Sequence, residues 1–290
     1  MIKYITLSDL SETIRENIWK IPRDIDFIIG VPRSGMIAAS IISSYLNVPL
    51  IDVDGYVAGI NPYGGSRLTY FNMLHKKTNK ALVIDDTVWN GRSMGEVKIK
   101  LSSVKDVQFT YACVYMEGPG SSAVDFFLED VRMFTNGFSQ LVLYEWNIFQ
   151  HTETVTLRCL YDIDGVLCVE PPDERNEKEY TEYITNPNPL FIPKSRIGGL
   201  ITYRLESNRS VTEKWLNDNC VRYNELIMFN ASTWEERQRS GISPEIHKAN
   251  FYKSHSNYSL FVESSDYQAK RIFEITGKPA FSVECNKIYQ

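Results

Sequence analysis

A chain of 290 residues with 43% hydrophobic content can build one large domain or two modest ones, and the length prior favours two. Its net charge of −5 argues against a general nucleic-acid or anionic-membrane surface, and no apolar run approaches a membrane span. Five scattered cysteines (Cys113, Cys159, Cys168, Cys220, Cys285) form no Cys-x-x-Cys pair, and Met1-Ile2-Lys3-Tyr4 runs into polar helix formers, so reduced thiols and a cytoplasmic location without a signal core are expected.

Taken in order, Leu7 to Trp19 reads as an amphipathic helix with Ser8 or Ser11 as N-cap. Ile25 to Ile29, closed by Gly30, reads as a short buried strand, Val31-Pro32-Arg33-Ser34-Gly35 as a loop, and Met36 to Leu46 as a helix of small residues. Leu50 to Val53 is the next strand, with Asp54 at its end. The glycine-rich segment from Gly55-Tyr56 through Asn61-Pro62-Tyr63-Gly64-Gly65-Ser66-Arg67 reads as a mobile loop.

The first half turns on Ala81 to Met94. Four apolar residues run into Asp85 and Asp86, expected at a strand tip, and then into Trp89-Asn90-Gly91-Arg92-Ser93 before a helix over Gly95 to Leu101. Open α/β sheets bind ligands at such a place. Backbone N–H groups and a hydroxyl at a helix N-terminus suit phosphate, and a carboxylate pair suits hydroxyls, so a sugar phosphate is expected. Val107 to Met116 and Val124 to Leu128 are further strands. Tyr144-Glu145-Trp146-Asn147-Ile148-Phe149 lacks the residues of a flexible linker and reads as a packed seam between domains 1–152 and 153–290.

In the second half, a strand over Leu157 to Leu160 leads to Tyr161-Asp162-Ile163-Asp164-Gly165-Val166-Leu167. Carboxylates on alternate strand positions point opposite ways, so the chain must turn at Asp162 for both to serve one ion. Ile197 to Ile201 is a strand ending in Thr202, with Arg204 just after; Lys248 lies in Ile246-His247-Lys248-Ala249; Ser259 to Val262 ends in Glu263-Ser264-Ser265-Asp266. Val169 to Lys194 is too short for a domain, and Leu216 to Lys248 has room only for a strand (Leu226 to Phe229) and a helix.

Ile84 to Ser93 resembles the phosphoribosyl-pyrophosphate (PRPP) motif of type I phosphoribosyltransferases: apolar residues, two acids, and a loop ending Gly-any-Ser/Thr. The resemblance implies that Asp85 and Asp86 hold the ribose hydroxyls of an oxocarbenium-like sugar. Trp89, Asn90, Gly91, Arg92 and Ser93 would surround the 5-phosphate. Arg33, Ser34 and Gly35 would hold pyrophosphate with Mg²⁺, and Arg67 would add a contact from a loop that closes over PRPP.

The second half resembles the haloacid dehalogenase-like (HAD) phosphatases, whose motifs occur in order. That likeness implies Asp162 as the nucleophile forming an aspartyl-phosphate, Asp164 as acid/base, Thr202 as a phosphate-binding hydroxyl and Lys248 as the balancing charge. Mg²⁺ would be held by Asp162, the Asp164 carbonyl and Glu263, with Asp266 off the commonest spacing. The expected fold is α/β, two Rossmann-like domains: a type I phosphoribosyltransferase fold, then a capless HAD-like fold.

Together the resemblances imply a bifunctional enzyme. It would transfer 5-phosphoribosyl from PRPP to a sugar hydroxyl of a bacterial surface glycan and then hydrolyse the 5-phosphate to leave ribofuranose. The partner would be a glycan acceptor, free or lipid-linked and met at the inner membrane face, with no nucleic acid and no transmembrane segment; a homodimer is compatible with the sequence. Trp89 stands where 6-oxopurine enzymes place a base-contacting Asp, and Tyr56 to Arg67 has no counterpart of the orotate enzymes' lysine. A nucleobase phosphoribosyltransferase coupled to a nucleotide 5-phosphatase is the alternative, and a non-catalytic PRPP sensor a third reading. Asp54 is the candidate transferase base.

Overall fold

The computed structural model describes residues 2–68, 79–132, 141–173 and 176–290, with Arg67, Glu177 and Lys178 as backbone only. It is a mixed α/β structure that divides into two compact units, Ile5–Trp146 and Asn147–Gln290 with Met1–Tyr4. A short strand β1 (Ile2–Ile5) opens the chain.

In Ile5–Trp146 the strands β2 (Phe27–Gly30), β3 (Leu50–Asp52), β4 (Lys80–Val88), β5 (Gln108–Met116) and β6 (Phe126–Asp130) form a parallel sheet in the order β3-β2-β4-β5-β6. Strand β7 (Leu141–Tyr144) lies outside it. The strands read as nearly continuous apolar runs because both faces are covered. Leu82 and Ile84 pack on one face with Leu10 and Ile14 of the helix Leu7–Asn17 and Ala38, Ala39 and Ile42 of the helix Gly35–Leu46. Val83 packs on the other face with Met94, Val97 and Leu101 of the helix Arg92–Leu101. The winding leads from β2 out to β3 and then back past β2 to β4, so the sheet has a topological switch point between β2 and β4.

The second unit follows the same logic. Strands β8 (Cys159–Tyr161), β9 (Ile197–Leu205), β10 (Tyr223–Phe229), β11 (Leu260–Glu263), β12 (Ala280–Ser282) and β13 (Lys287–Tyr289) are ordered β10-β9-β8-β11-β12-β13. All are parallel except β13, which is antiparallel to β12. The switch point lies between β8 and β11. Leu160, Ile201 and Phe261 bury against Ala249 and Tyr252 of the helix Pro244–Ser254 and Ala269 and Ile272 of the helix Asp266–Thr276.

Several expectations are corrected. Thr6, not Ser8 or Ser11, caps the first helix: its hydroxyl accepts from the Asp9 backbone N–H at 3.1 Å, and the Asp9 carboxylate accepts from the Thr6 N–H at 2.8 Å, a reciprocal capping box. The helix stops at Asn17, before Trp19. Asp85 and Asp86 lie inside β4, which continues to Val88, and Thr202 lies inside β9, which continues to Leu205. Asp54 is not at a strand end. It sits in the short helix Val53–Val57, exposed, with Lys100 at 2.5 Å, so its charge is committed to a solvent-side ion pair. Leu157 ends a short helix, Glu153–Thr156, and the strand begins only at Cys159.

The aromatic connector divides between the units. Tyr144 packs against Tyr115 and Trp146, with ring centroids 5.8 and 5.2 Å away, while Phe149 stacks on Phe191 at 4.6 Å. No helix among the described residues is long and apolar enough to cross a membrane.

Candidate active sites

In Ile5–Trp146 the loop after β2 meets the acids of β4 across the switch point. Gly35, the first residue of its helix, comes so close that a Cβ there would lie 2.9 Å from both Asp85 Oδ1 and the Ile84 carbonyl oxygen. Only glycine permits that approach. Ser34 Oγ donates to Asp86 Oδ1 at 2.8 Å, and the Asp86 N–H donates to Asp85 Oδ1 at 2.9 Å. The Pro32–Arg33 peptide is cis, and the exposed Arg33 donates from Nη2 to the Trp146 carbonyl at 2.8 Å. Both acids are buried; burial and then the neighbouring Asp86 charge push the Asp85 carboxyl above its ordinary value.

The turn after β4 is held backbone to backbone. Gly91 has φ +76°, and a Cβ on it would lie 2.5 Å from Ala123 Cβ; a Cβ on Gly118 would lie 2.5 Å from the Trp89 carbonyl oxygen and 2.7 Å from its ring. Trp89 therefore rests on Gly118 while staying 45% exposed. Asn90 Oδ1 accepts from the Arg92 N–H at 3.1 Å, the Arg92 side chain pairs with Glu96 at 3.0 Å, and Ser93 is exposed at the helix start. The Arg67 side chain and residues 69–78 lie outside the described residues.

Sequence reasoning missed two residues here. Trp146 reaches back so that its indole N–H donates to Asp86 Oδ2 at 2.7 Å. One aromatic residue thus touches both expected ligand-holding groups, taking Arg33 on its carbonyl and Asp86 on its ring. Glu117, directly after β5, donates its backbone N–H to the Val88 carbonyl at 3.0 Å; burial and then the Asp86 charge push its carboxyl up to about 7. Neither carries a motif.

In Asn147–Gln290 the chain turns after β8, with Gly165 at φ +73°, and the two acids take different partners. Lys248 Nζ donates to Asp162 Oδ2 at 2.5 Å, Glu263 Oε2 at 2.7 Å and Gln268 Oε1 at 2.9 Å, and all of Asp162, Glu263 and Lys248 are buried. Asp164 instead accepts from Arg204, whose Nε lies 3.0 and 3.1 Å from its oxygens and Nη2 2.6 Å from Oδ1. Tyr183 adds a donor at 2.6 Å, and Thr202 Oγ1 stands 3.4 Å away. The role of Arg204, and of Tyr183 on the helix Glu177–Thr185, was not legible from motifs.

Electrostatics separates the pair. Burial pushes the Asp162 carboxyl well above 3.8, with Lys248 opposing and Glu263 and Asp164 adding to the rise. Burial also acts to raise Asp164, but Arg204 and Tyr183 outweigh it and hold that carboxyl below 3.8. Burial works against the Lys248 charge, yet Asp162 and Glu263 raise its pKa above 10.5.

The expected four-residue metal set is not assembled. Among the described residues no three His, Cys, Asp or Glu side chains converge to hold an ion. The Asp266 carboxylate instead accepts from Tyr289 at 2.8 and 2.9 Å, and that of Asp164 faces Arg204.

No protein-family model matches the chain, and no curated protein matches it. Among solved structures it is similar to a purine phosphoribosyltransferase from Pyrococcus horikoshii: 21% identity, TM-score 0.36, 52% of this chain and 97% of that one. A xanthine-guanine-hypoxanthine phosphoribosyltransferase from Helicobacter pylori gives 16% identity and TM-score 0.36, over 51% of this chain and 95% of that one. A chain of the Pnkp1/Rnl/Hen1 RNA repair complex gives 12% identity and TM-score 0.32, over 97% of this chain and 94% of that one.

Proposed function

We propose that Ile5–Trp146 transfers 5-phosphoribosyl from PRPP with release of pyrophosphate, and that Asn147–Gln290 then hydrolyses the 5-phosphate. What supports this most is the repetition of one arrangement. Each sheet carries buried carboxylates at its own switch point, Asp85 and Asp86 beside the Pro32–Gly35 loop, and Asp162 and Glu263 on either side of Lys248.

In the transferase reading, Asp85 and Asp86 take the ribose 2- and 3-hydroxyls, the Gly91–Ser93 turn takes the 5-phosphate, and Arg33 with Ser34 and Gly35 takes pyrophosphate. In the phosphatase reading, Asp162 attacks phosphorus, and the Lys248 charge opposes the rise that burial imposes on its carboxyl. A magnesium ion would be drawn to the two carboxylates Asp162 and Glu263, which meet at Lys248, while the Asp164 side chain stays with Arg204. Asp162, the Asp164 carbonyl and Glu263 would hold it, and it would supply charge neutralisation at the phosphate oxygens.

A sugar hydroxyl of a surface glycan, free or lipid-linked at the inner membrane face, is the acceptor this reading favours. The stretch between Asp164 and β9 holds one helix, Glu177–Thr185, and that between β10 and Lys248 the helix Trp234–Ser240, so nothing domain-sized among the described residues encloses a bulky phosphate. The test offers PRPP and Mg²⁺ with a nucleobase panel and, separately, a synthetic glycan. Pyrophosphate release with glycan is expected; release with a base and none with any glycan overturns the acceptor. Asp162→Asn is expected to abolish phosphate release and let a 5-phosphoribosyl product accumulate, detectable by mass spectrometry. Unchanged phosphate release would remove Asp162 as the nucleophile.

A further inference from the structure

We propose that Tyr183 is a positioning residue of the phosphatase step: its hydroxyl occupies Oδ1 of Asp164, so that Oδ2 is the oxygen that gives a proton to the departing sugar oxygen. The proposal rests on the phosphatase reading and deepens it by naming the working oxygen and the group that selects it.

Hydrolysis of an alkyl phosphate breaks the bond from phosphorus to the sugar oxygen and forms one from phosphorus to Asp162, with the electron pair leaving on the sugar oxygen. An alkoxide leaves poorly, so a proton must reach that oxygen as the bond breaks. In the phosphatase reading Asp164 gives it, and takes one back from the water that later cleaves the aspartyl-phosphate. The reaction then balances as phosphomonoester and water giving alcohol and phosphate. A carboxyl group delivers its proton only from the oxygen turned to the acceptor, so the two oxygens of Asp164 need different surroundings.

They have them. Oδ1 lies 2.6 Å from the Tyr183 hydroxyl, 2.6 Å from Arg204 Nη2 and 3.0 Å from Arg204 Nε, with Cys168 Sγ at 3.6 Å. Two short hydrogen bonds fill the two lone pairs of one carboxylate oxygen. Oδ2 has longer contacts, 3.1 Å to Arg204 Nε and 3.4 Å to Thr202 Oγ1, and keeps room for a proton. Arg204 Nε is shared between the oxygens, so Arg204 Nη2 and Tyr183 are the donors that single out Oδ1. The Val169 carbonyl, 2.7 Å from the Tyr183 hydroxyl, faces the same proton. The carboxylate takes it, because a hydrogen bond to an anion is roughly twice as strong as one between neutral groups.

Tyr183 is held where it can do this. Its helix, Glu177–Thr185, buries Ile184 and lies between two segments that pair with each other. The Val169 N–H donates to the Asn188 carbonyl at 3.0 Å, and the Leu190 N–H to the Leu167 carbonyl at 2.8 Å. Beyond the helix, the Pro187 carbonyl accepts from the indole N–H of the buried Trp215 at 2.8 Å, on the helix Arg209–Asp218. Both ends of the insert are thus tied down beside Asp164, which keeps the hydroxyl in place. The Arg204 guanidinium stands 5.7 Å from the centre of the Tyr183 ring, a contact that survives deletion of the hydroxyl alone.

The test compares Tyr183→Phe with wild type, as full chains with Mg²⁺, on two substrates. Ribose 5-phosphate needs a proton on its leaving oxygen; p-nitrophenyl phosphate does not, because its leaving group departs as a stable anion. Tyr183→Phe should lower kcat on ribose 5-phosphate by about 10- to 10²-fold, with kcat on p-nitrophenyl phosphate and both KM values within about threefold of wild type. The ratio of the two rates within one preparation is independent of any misfolded fraction, so it reads the chemistry even where the variant is less stable. A wild-type ratio in Tyr183→Phe, whether both rates are unchanged or both fall equally, overturns the proposal and leaves Tyr183 a packing role. Wild-type protein that hydrolyses neither substrate, or Asp162→Asn that hydrolyses both at the wild-type rate, overturns the phosphatase reading itself, and the role of Tyr183 with it.

Discussion

Replacing Lys248 by Met tests the second site most directly, because it keeps most of the volume and removes the charge. Lys248 is 2% exposed and bridges Asp162 and Glu263, which are 4% and 0% exposed. Without it two carboxylates face each other out of water. An exposed ion pair would be worth about 0–1 kcal/mol. Stripping one partner from a buried pair costs about 3–5 kcal/mol, because the remaining charge stays buried and uncompensated. Against a domain stability of about 5–15 kcal/mol, that predicts a fall in melting temperature of roughly 10 °C or more for Asn147–Gln290, read by scanning calorimetry without added divalent cation. The pH dependence has a definite sign. Burial already lifts the Asp162 carboxyl above 3.8, and losing Lys248 lifts it further. Over the window between 3.8 and that raised value the folded variant binds a proton that the unfolded chain does not, so its stability falls as pH rises. The deficit should therefore be smaller at pH 5 than at pH 8. A variant melting within about 2 °C of wild type at pH 8, or a deficit that grows on acidification, would refute the reasoning.

Two further substitutions probe contacts that no motif announces. Trp146→Phe keeps the ring against Tyr144 but deletes the N–H that Asp86 accepts at 2.7 Å. A hydrogen bond to a charged group is worth about 1.5–3 kcal/mol, so PRPP affinity should weaken roughly tenfold or more by calorimetry, and unchanged affinity would show that Trp146 only packs. Arg204→Lys loses the fork that grips both oxygens of Asp164 inside the unit. Because Asp164 titrates below 3.8 when folded, the stability it supplies is present above that value and lost as pH falls through the folded pKa. The variant's deficit in urea unfolding should be largest near pH 7 and shrink towards pH 3; a deficit independent of pH would mean that packing, not the ion pair, was lost.

Strand ends were legible where apolar runs met acids, because a buried parallel strand needs apolar residues on both faces and has nowhere to put a charge before its carboxyl end. That logic anticipated β4, β8 and β11 and the neighbourhoods of Asp85, Asp162 and Glu263. It was less sharp at boundaries. β4 and β9 run on past their first polar residues because Thr87 and Thr202 suit a strand well and the neighbouring strands continue beside them. The caps show the same limit: Thr6 and Asp9 satisfy each other reciprocally, a pattern that outranks a serine standing alone.

What the sequence withheld was the partner of each acid, for a common physical reason. A carboxylate on a strand tip meets side chains from elements that arrive after long crossovers, and strand or helix periods carry no information about those meetings. Asp164 makes the consequence plain. The likeness of its motif to that of the HAD phosphatases implies a proton donor, yet Arg204 from the neighbouring strand β9 holds it as an anion below 3.8. A carboxylate so held is a poor acid while Arg204 grips it. In the phosphatase reading an incoming phosphate, with more negative charge than Asp164, would compete for the same guanidinium, and each hydrogen bond that Arg204 gave to phosphate would be one taken from Asp164. Burial, the force that acts to raise the Asp164 carboxyl, would then prevail. In the phosphatase reading substrate phosphate would thus turn Asp164 from a locked anion into a donor for the leaving oxygen, with Arg204 as the switch between the two states.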